Sequence, residues 1–91
     1  MRVTRSSKFK KDYKLAKRQQ KNLSLLRDVI EKLVNKQLPP DKFQDHKLTG
    51  SLTEYRELHL EPDWLLIYRI DYNEEELKLA KLGSHSELYK K

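Results

Sequence analysis

Residues 54–82, EYRELHLEPDWLLIYRIDYNEEELKLAKL, decide the fold of this 91-residue chain. At both ends of this stretch, apolar and polar residues alternate with the two-residue period of β-strands. Residues 64–70 between them are apolar on both faces apart from Arg69, which is typical of a central strand, and short polar segments separate the three parts. We therefore predict three strands, over residues 54–60, 64–70 and 75–82, separated by tight turns. Because turns this short join antiparallel neighbours, the three strands should form a meander.

The N-terminal part of the chain has the period of helices instead. Apolar residues recur every three or four positions in two segments, which predicts helices over residues 8–21 and 23–35. Ser84 and Glu87 have the spacing of a capping box, so a short final helix should begin there. The predicted fold is α+β in a single domain over residues 1–91: a short N-terminal strand, two helices, a three-stranded antiparallel meander and a short C-terminal helix.

The composition excludes several classes of protein. Without cysteine, the chain has no disulfide, no thiolate nucleophile and no cysteine-bound zinc. Gly50 and Gly83 are its only glycines, so it has no glycine-rich phosphate loop. The longest apolar run covers residues 64–68, far too short for a membrane span, and the N-terminus has no apolar signal segment. We expect a cytoplasmic protein with no membrane partner.

The positive charge is concentrated in the first quarter of the chain. Residues 1–21 contain nine Lys or Arg and only one acidic residue, a net charge of +8, whereas the whole chain has +6. On the predicted first helix, most of these cations lie on one arc beside the apolar face. They include the lysines that we expect to contact RNA: Lys10, Lys14, Lys17 and Lys21. Such a ridge suits a polyanion, and nucleic acid is the usual one, although a merely solvated helix has the same pattern.

Three histidines lie where the predicted chain changes direction: His46, His59 and His85. Cleavage of RNA without a metal needs a base, an acid and a cation to stabilise the phosphorane. The histidines together with Asp63 and Lys81 supply these groups, although a single histidine is more often an ordinary surface residue. A three-histidine zinc site is the other interpretation, but no two histidines have the i, i+4 spacing of helical ligands.

The aromatic residues are ambiguous. Trp64 follows a predicted turn at the first position of a strand, where it either stacks on a splayed base or packs at the edge of the core. Tyr89 lies near the C-terminus among lysines and allows the same two interpretations.

Three segments carry a family resemblance: residues 45–51 (DHKLTGS), 55–68 (YRELHLEPDWLLIY) and 82–89 (LGSHSELY). Their combination, at these separations, resembles the YafQ-type toxins of the RelE superfamily. The resemblance extends over nearly the whole chain, because the lysine-rich first helix and Leu38-Pro39 also fit the pattern.

The resemblance implies an endoribonuclease of a type II toxin–antitoxin system, which enters the ribosomal A site and cleaves mRNA by attack of the 2′-hydroxyl. It implies no cofactor and no metal. The residues that match the family's catalytic cluster are His46, His59, Asp63 and His85, with His85 as the proton donor. Lys81 stands where many relatives have Arg, which replaces a bidentate fork with a point charge.

The resemblance also implies contacts with RNA and with other macromolecules. We expect Arg56, Trp64 and Tyr89 to position the RNA, with Tyr89 standing where the family usually has Phe. The expected partners are a cognate antitoxin, the ribosome with its rRNA, mRNA, and operator DNA only through the antitoxin. Two alternatives are a non-catalytic module that blocks translation by binding, and a transcriptional co-repressor; only a nuclease leaves new 5′-hydroxyl ends.

Overall fold

A computed structural model describes residues 1–37, 39–48 and 54–89. The elements are β1 (Arg2–Arg5), α1 (Ser7–Arg18), α2 (Leu23–Val34), a 3₁₀ turn (Asp41–Phe43), β2 (His46–Lys47), β3 (Arg56–Glu61), β4 (Trp64–Asp71), β5 (Glu76–Gly83) and α3 (His85–Leu88). The predicted α+β fold is therefore confirmed. Within the described ranges, no helix is long and apolar enough to cross a membrane.

The sheet is larger than the predicted meander. Its order is β1-β5-β4-β3-β2, with β1 parallel to β5 and the other neighbours antiparallel. β2 lies between the predicted second helix and the predicted meander, where the sequence predicts no regular element, and its two residues are too few to produce a period. Leu38 and residues 49–53, which include Gly50 of the first motif, lie outside the described residues.

The two long helices and one face of the sheet form the core. Alternate residues of the central strands turn toward the helices and are almost completely buried, among them Leu58, Leu66, Leu77 and Leu79. Phe9 and Leu26 are buried with them from the helical side. Because side chains alternate along a strand, the residues between these positions face the other side of the sheet.

A bulge in β5 is secured by α1. Ala80 is an extra residue at the point where the pairing of β5 with β4 shifts register. Its carbonyl accepts a hydrogen bond from Ser6 Oγ at 2.6 Å, and the Leu82 amide donates to Asp12 Oδ2 at 2.9 Å. Asp12 is itself buried and is paired with Lys8. Pairing with β1 ends at Leu79, so the first helix and its N-cap satisfy backbone groups on the edge of β5 beyond that point.

The first helix ends three residues earlier than predicted. Gln20 adopts a left-handed backbone conformation with φ 59°, and its amide donates to the carbonyl of Lys17. The Lys21 amide donates to the carbonyl of Ala16, which completes the Schellman arrangement of a helix end. Lys21 therefore lies beyond α1, and the expectation that it continues the helical ridge is wrong.

Candidate active site

Strand register gathers polar side chains on the sheet face that α1 and α2 leave open. His46 on β2 pairs with Glu57 on β3, and Glu57 pairs with Ile67 on β4, which in turn pairs with Lys81 on β5. Paired residues on neighbouring strands project to the same side of a sheet. His59, two residues after Glu57, projects to that side as well.

Glu57 is at the centre of this group and is 7% exposed. Its Oε1 lies 2.9 Å from His59 Nε2 and 3.7 Å from His46 Nε2, and its Oε2 accepts a hydrogen bond from the Tyr89 hydroxyl. Burial by itself raises the pKa of Glu57. The hydrogen bonds from Tyr89 and His59 and the histidine charges outweigh burial and hold the pKa below its ordinary value of 4.5. Glu57 is therefore a carboxylate at neutral pH.

Tyr89 has one end inside the site and one face in solvent. Burial, followed by the hydrogen bond to Glu57, raises the pKa of the Tyr89 phenol well above 10, so the hydroxyl remains a donor. Its side chain is nevertheless 43% exposed, and its ring centroid lies 6.5 Å from that of His85. The ring keeps an accessible face beside the histidines.

Asp63 orients His85. It lies in the turn between β3 and β4. His85 begins α3 directly after the N-cap Ser84, and the predicted capping box of Ser84 and Glu87 is present. Asp63 Oδ1 accepts from the His85 amide at 2.9 Å and contacts His85 Nδ1 at 2.7 Å. These hydrogen bonds, the backbone one first, lower the pKa of Asp63. Because an ionised carboxylate only accepts, Nδ1 carries a proton and Nε2 is the nitrogen left for other partners.

The rings of the three histidines and of Tyr89 form a continuous row. Their centroids are 6.0 Å apart from His46 to His59, 5.7 Å from His59 to His85 and 6.5 Å from His85 to Tyr89. The structure therefore brings all three predicted histidines and Asp63 together. Two of the histidines have their own carboxylate, which is the arrangement that fixes an imidazole's tautomer and stabilises its protonated form.

Trp64 is a correction to the sequence-based expectation. Its side chain is 1% exposed and belongs to the hydrophobic core, so it offers no face on which a base could stack. It pairs with Glu61 where the register of β3 and β4 shifts after His59. The packing interpretation is correct for Trp64, and the stacking interpretation is wrong.

Arg56 lies apart from the histidines. It pairs with Tyr68, one position along β3 from Glu57, and so projects to the side of the sheet opposite the histidines. Its Nε donates to both oxygens of Asp45, at 3.1 and 3.2 Å, and the Tyr68 hydroxyl donates to the same carboxylate at 2.8 Å. Arg56 anchors the segment that leads into β2 and is not among the residues gathered around the histidines. Its contact with RNA stays a prediction.

The lysines divide into two groups. Lys10 and Lys14 border a groove of about 530 Å³ between α1 and α2, and Lys17 is exposed on the same helix. Lys21 instead borders a second groove of about 330 Å³ together with Asp63, and its charge helps to lower the pKa of Asp63. Lys21 therefore lies beside Asp63, contrary to the expectation that it shares one ridge with the other three lysines.

Glu57 is the site residue that sequence reasoning missed. Its spacing of two residues from His59 within a predicted strand places both side chains on one face. That signal was present in the sequence, but charged residues on a strand are usually solvated, so only the structure shows that this one is buried.

The same cluster has the donors of a metal site. One nitrogen from each of His46 and His59 and one oxygen of Glu57 lie within 4.8 Å of one another. Two imidazoles and a carboxylate are a common ligand set for zinc. The donor set therefore fits a divalent transition metal.

The five-stranded sheet, the two helices on one of its faces and the short C-terminal helix form a RelE-like toxin domain. Residues 1–90 match the family model described as the bacterial YafQ toxin of type II toxin–antitoxin systems, and the chain belongs to that family.

Individual relatives agree with this assignment. The chain is 38% identical to the mRNA interferase toxin YafQ of Escherichia coli K12, over 92% of this chain and 90% of that protein. It superimposes with a TM-score of 0.91 on a metal-bound toxin from Helicobacter pylori, at 43% identity over 97% and 98% of the two chains. It superimposes with a TM-score of 0.89 on a chain of the Escherichia coli DinJ–YafQ complex, at 36% identity over 98% and 99%.

Proposed function

We propose that this chain is an mRNA interferase that acts in the cytoplasm, cleaves mRNA on the ribosome without a catalytic metal, and is neutralised by an antitoxin. The observation that carries the proposal is the pair of histidine–carboxylate units, His59 with Glu57 and His85 with Asp63, whose imidazoles are 5.7 Å apart. At this separation both imidazoles can reach one phosphodiester. The name of the Escherichia coli relative supports mRNA as the substrate.

In the proposed reaction, His59 is the base. In neutral His59, the Nε2–H group donates a hydrogen bond to Glu57. Nδ1 is then available to accept the proton of the 2′-hydroxyl. The 2′-oxygen then attacks phosphorus while the bond from phosphorus to the 5′-oxygen breaks. Glu57 stabilises the imidazolium that forms, as the carboxylate of a catalytic triad does.

His85 is the proposed acid. In its protonated form Nδ1 donates to Asp63, so the Nε2 proton is available for the departing 5′-oxygen. The products are a 2′,3′-cyclic phosphate and a 5′-hydroxyl, and the two transfers leave one histidine protonated and the other neutral. Microscopic reversal of these roles resets the site when water opens the cyclic phosphate.

Two further residues are proposed to hold the RNA. Lys81 lies on the same face of the sheet and lines a small pocket of about 160 Å³ with Tyr89, from which its ammonium can neutralise charge on the phosphorane. Tyr89 offers its exposed ring face to a base next to the cleaved bond. His46, half exposed at the end of the row, is proposed to contact an adjacent phosphate.

The antitoxin is proposed to bind the groove between α1 and α2. The groove has an apolar floor, formed by Phe9, Leu23, Leu26 and Ile30, and a cationic rim, formed by Arg5, Lys10, Lys14 and Arg27. An amphipathic segment with acidic residues at its edges matches both features. The DinJ–YafQ complex of the relatives supports a protein partner of this kind. Because α1 and α2 cover the face opposite the histidines, such a segment would leave the active site open and would block the basic surface.

The decisive experiment is to incubate the purified chain with ribosomes translating a defined mRNA and to map new 5′ ends. The expected result is cleavage within the coding region with 5′-hydroxyl termini, and its loss in His85→Gln at an unchanged thermal transition. Translation arrest without new ends would reject the nuclease in favour of a blocking module. Cleavage of naked mRNA at the same rate would reject dependence on the ribosome.

A further inference from the structure

We propose that His46, Glu57 and His59 bind a Zn²⁺ ion that inhibits this protein. The inhibitory part rests on the proposed nuclease function, because the ion would occupy the side chains assigned to the base. The metal-binding part rests only on geometry. The metal-bound relative from Helicobacter pylori makes a metal plausible for this fold, but the residues are assigned here from this chain alone.

The donor atoms are nearly in position for a tetrahedral ion. Bonds of about 2.0–2.1 Å place two ligands of a tetrahedral zinc about 3.3 Å apart. Glu57 Oε1 is 2.9 Å from His59 Nε2 and 3.7 Å from His46 Nε2, so these separations bracket the required one. All three donor atoms lie within 4.8 Å of one another, so binding of one ion by the three ligands requires the two imidazoles and the carboxylate to rotate toward a common point.

Two of the ligands are already oriented by neighbouring groups. His46 Nδ1 lies 2.7 Å from the carbonyl of Gln44, which can only accept, so neutral His46 presents the lone pair of Nε2 to the cluster. The second oxygen of Glu57 is held by the Tyr89 hydroxyl. Hydrogen bonds from ligands to such outer groups are typical of metal sites, where they fix the tautomer and orientation of each ligand.

Gln44, which contacts His46, has an unusual backbone conformation. Its backbone is left-handed, with φ 50° and ψ 43°, a conformation that costs a non-glycine residue free energy. Gln44 ends the 3₁₀ turn in this conformation, and its carbonyl lies beside His46 at the start of β2. Three protein ligands leave a fourth position toward solvent, where His46 is half exposed, so the ion can enter and leave.

Zn²⁺ binding at this cluster and proton transfer by His59 exclude each other. A metal bound to His59 Nε2 removes the hydrogen bond to Glu57 and takes the carboxylate that would stabilise the imidazolium. His85 and Asp63 are not part of the donor group, so the acid would stay intact while the base is lost. The ion is therefore an inhibitor in this proposal, and the reaction itself proceeds without it.

The test is isothermal calorimetry of untagged, metal-stripped protein with ZnCl₂, supported by the visible spectrum of the Co²⁺ complex. We expect one ion per chain and a tetrahedral cobalt spectrum. Loss of a ligand in His46→Ala or Glu57→Gln should weaken binding about 100-fold or more, since loss of outer-shell groups alone costs about 10–100-fold. The matched control, His85→Ala, should bind Zn²⁺ as the wild type does, with folding of every variant checked by its thermal transition.

Unchanged Zn²⁺ affinity in His46→Ala would overturn the site, and so would equal weakening in His85→Ala. Binding of Mg²⁺ with the affinity of Zn²⁺ would contradict a nitrogen-rich site. In the ribosome assay, the Zn²⁺ concentration that saturates the calorimetric site should stop cleavage, and a chelator should restore it. Full cleavage with the site occupied would overturn the inhibitory role alone. If the protein cleaves no mRNA at all, the proposed function fails while calorimetry still decides the metal site.

Discussion

Asp63 Oδ1 accepts two hydrogen bonds from His85, one from the backbone amide at 2.9 Å and one from the imidazole at 2.7 Å. One carboxylate oxygen thus holds both the start of α3 and the ring that α3 carries. These hydrogen bonds join the turn between β3 and β4 to the C-terminal helix at the residue that we propose as the proton donor.

Asp63→Asn should distinguish the effect of the Asp63 charge from its effect on the position of His85. Asparagine keeps an oxygen that can accept from the amide, but it no longer stabilises a protonated His85. We expect cleavage to fall about 100-fold, the lower end of what loss of a proton-transfer group costs. Single-turnover cleavage rates measure the effect, with Ser86→Ala as the control, because within the described part of the chain the Ser86 side chain hydrogen-bonds to the Ser84 hydroxyl and not to Asp63 or His85. A rate within twofold of wild type would remove Asp63 from the mechanism.

Glu57→Gln should change how stability depends on pH. The pKa of Glu57 is lower in the folded protein than the ordinary value of 4.5, so its ionised form favours folding. That contribution is complete above pH 4.5 and is lost as the pH falls through the lowered pKa. Thermal unfolding from pH 7 to about pH 3 should therefore show the wild type losing its advantage over Glu57→Gln on acidification. A constant difference between the two proteins at every pH would contradict the shift.

Asp12→Ala should destabilise the fold without touching the open face of the sheet. The substitution leaves the buried Leu82 amide without an acceptor, which costs about 2 kcal/mol and lowers Tm by about 10 °C in a domain of this size. Asp12→Asn, which keeps an acceptor oxygen, should lose less. Asp28→Ala, at an exposed position of α2, is the control and should be close to neutral. An Asp12→Ala variant as stable as the control would show that the bulge of β5 needs no support.

The pattern of apolar residues sufficed for the long elements and failed for the short ones. β3, β5 and both long helices have a clear period over five or more residues, and β4 is a long apolar run between two turns. β2 has two residues and no period. The parallel partner of β1 is also invisible locally, because the pairing of Arg2 with Glu76 depends on the whole chain between them.

The site was predictable to the extent that its residues lie at turns. The three histidines and Asp63 were found because a change of chain direction gathers such residues. The burial of Trp64 was harder to predict, because Trp64 follows a register shift between β3 and β4. The alternation of side chains is interrupted at such a shift. Asp12 and Glu57 are buried charges that are stabilised by partners elsewhere in the chain. Composition gives no sign of such burial.

The basic helix and Lys21 should have separable roles. Replacing Lys10, Lys14 and Lys17 by Gln should weaken ribosome binding and flatten its dependence on salt, because fewer counterions are released. The same number of charges removed at Lys32, Lys36 and Lys42 is the control and should have less effect. Lys21→Gln, beside Asp63, should instead reduce the rate at which the ribosome-bound protein cleaves mRNA. Ribosome sedimentation across a salt titration distinguishes these outcomes, and equal slopes for both triple variants would show that α1 only aids solubility.

Leu23→Ser should produce a toxin that its antitoxin no longer controls. Leu23 is a partly buried floor residue of the groove between α1 and α2, and loss of its contacts should weaken antitoxin binding about tenfold or more. Leu25→Ser, also partly buried on α2 but lining a different depression, is the matched control. Growth with the antitoxin coexpressed, together with measured affinity, tests this. Equal neutralisation of both variants would place the antitoxin elsewhere.

The position of β5 between β1 and β4 has a consequence for the time at which the protein becomes active. Translation is vectorial, so β1 emerges early and has no sheet neighbour until Glu76–Gly83 has been synthesised. His85 follows that strand directly. A growing chain therefore has neither a closed sheet nor its proposed proton donor until residues 76–85 have left the exit tunnel, and we expect it to spare the message from which it is being translated.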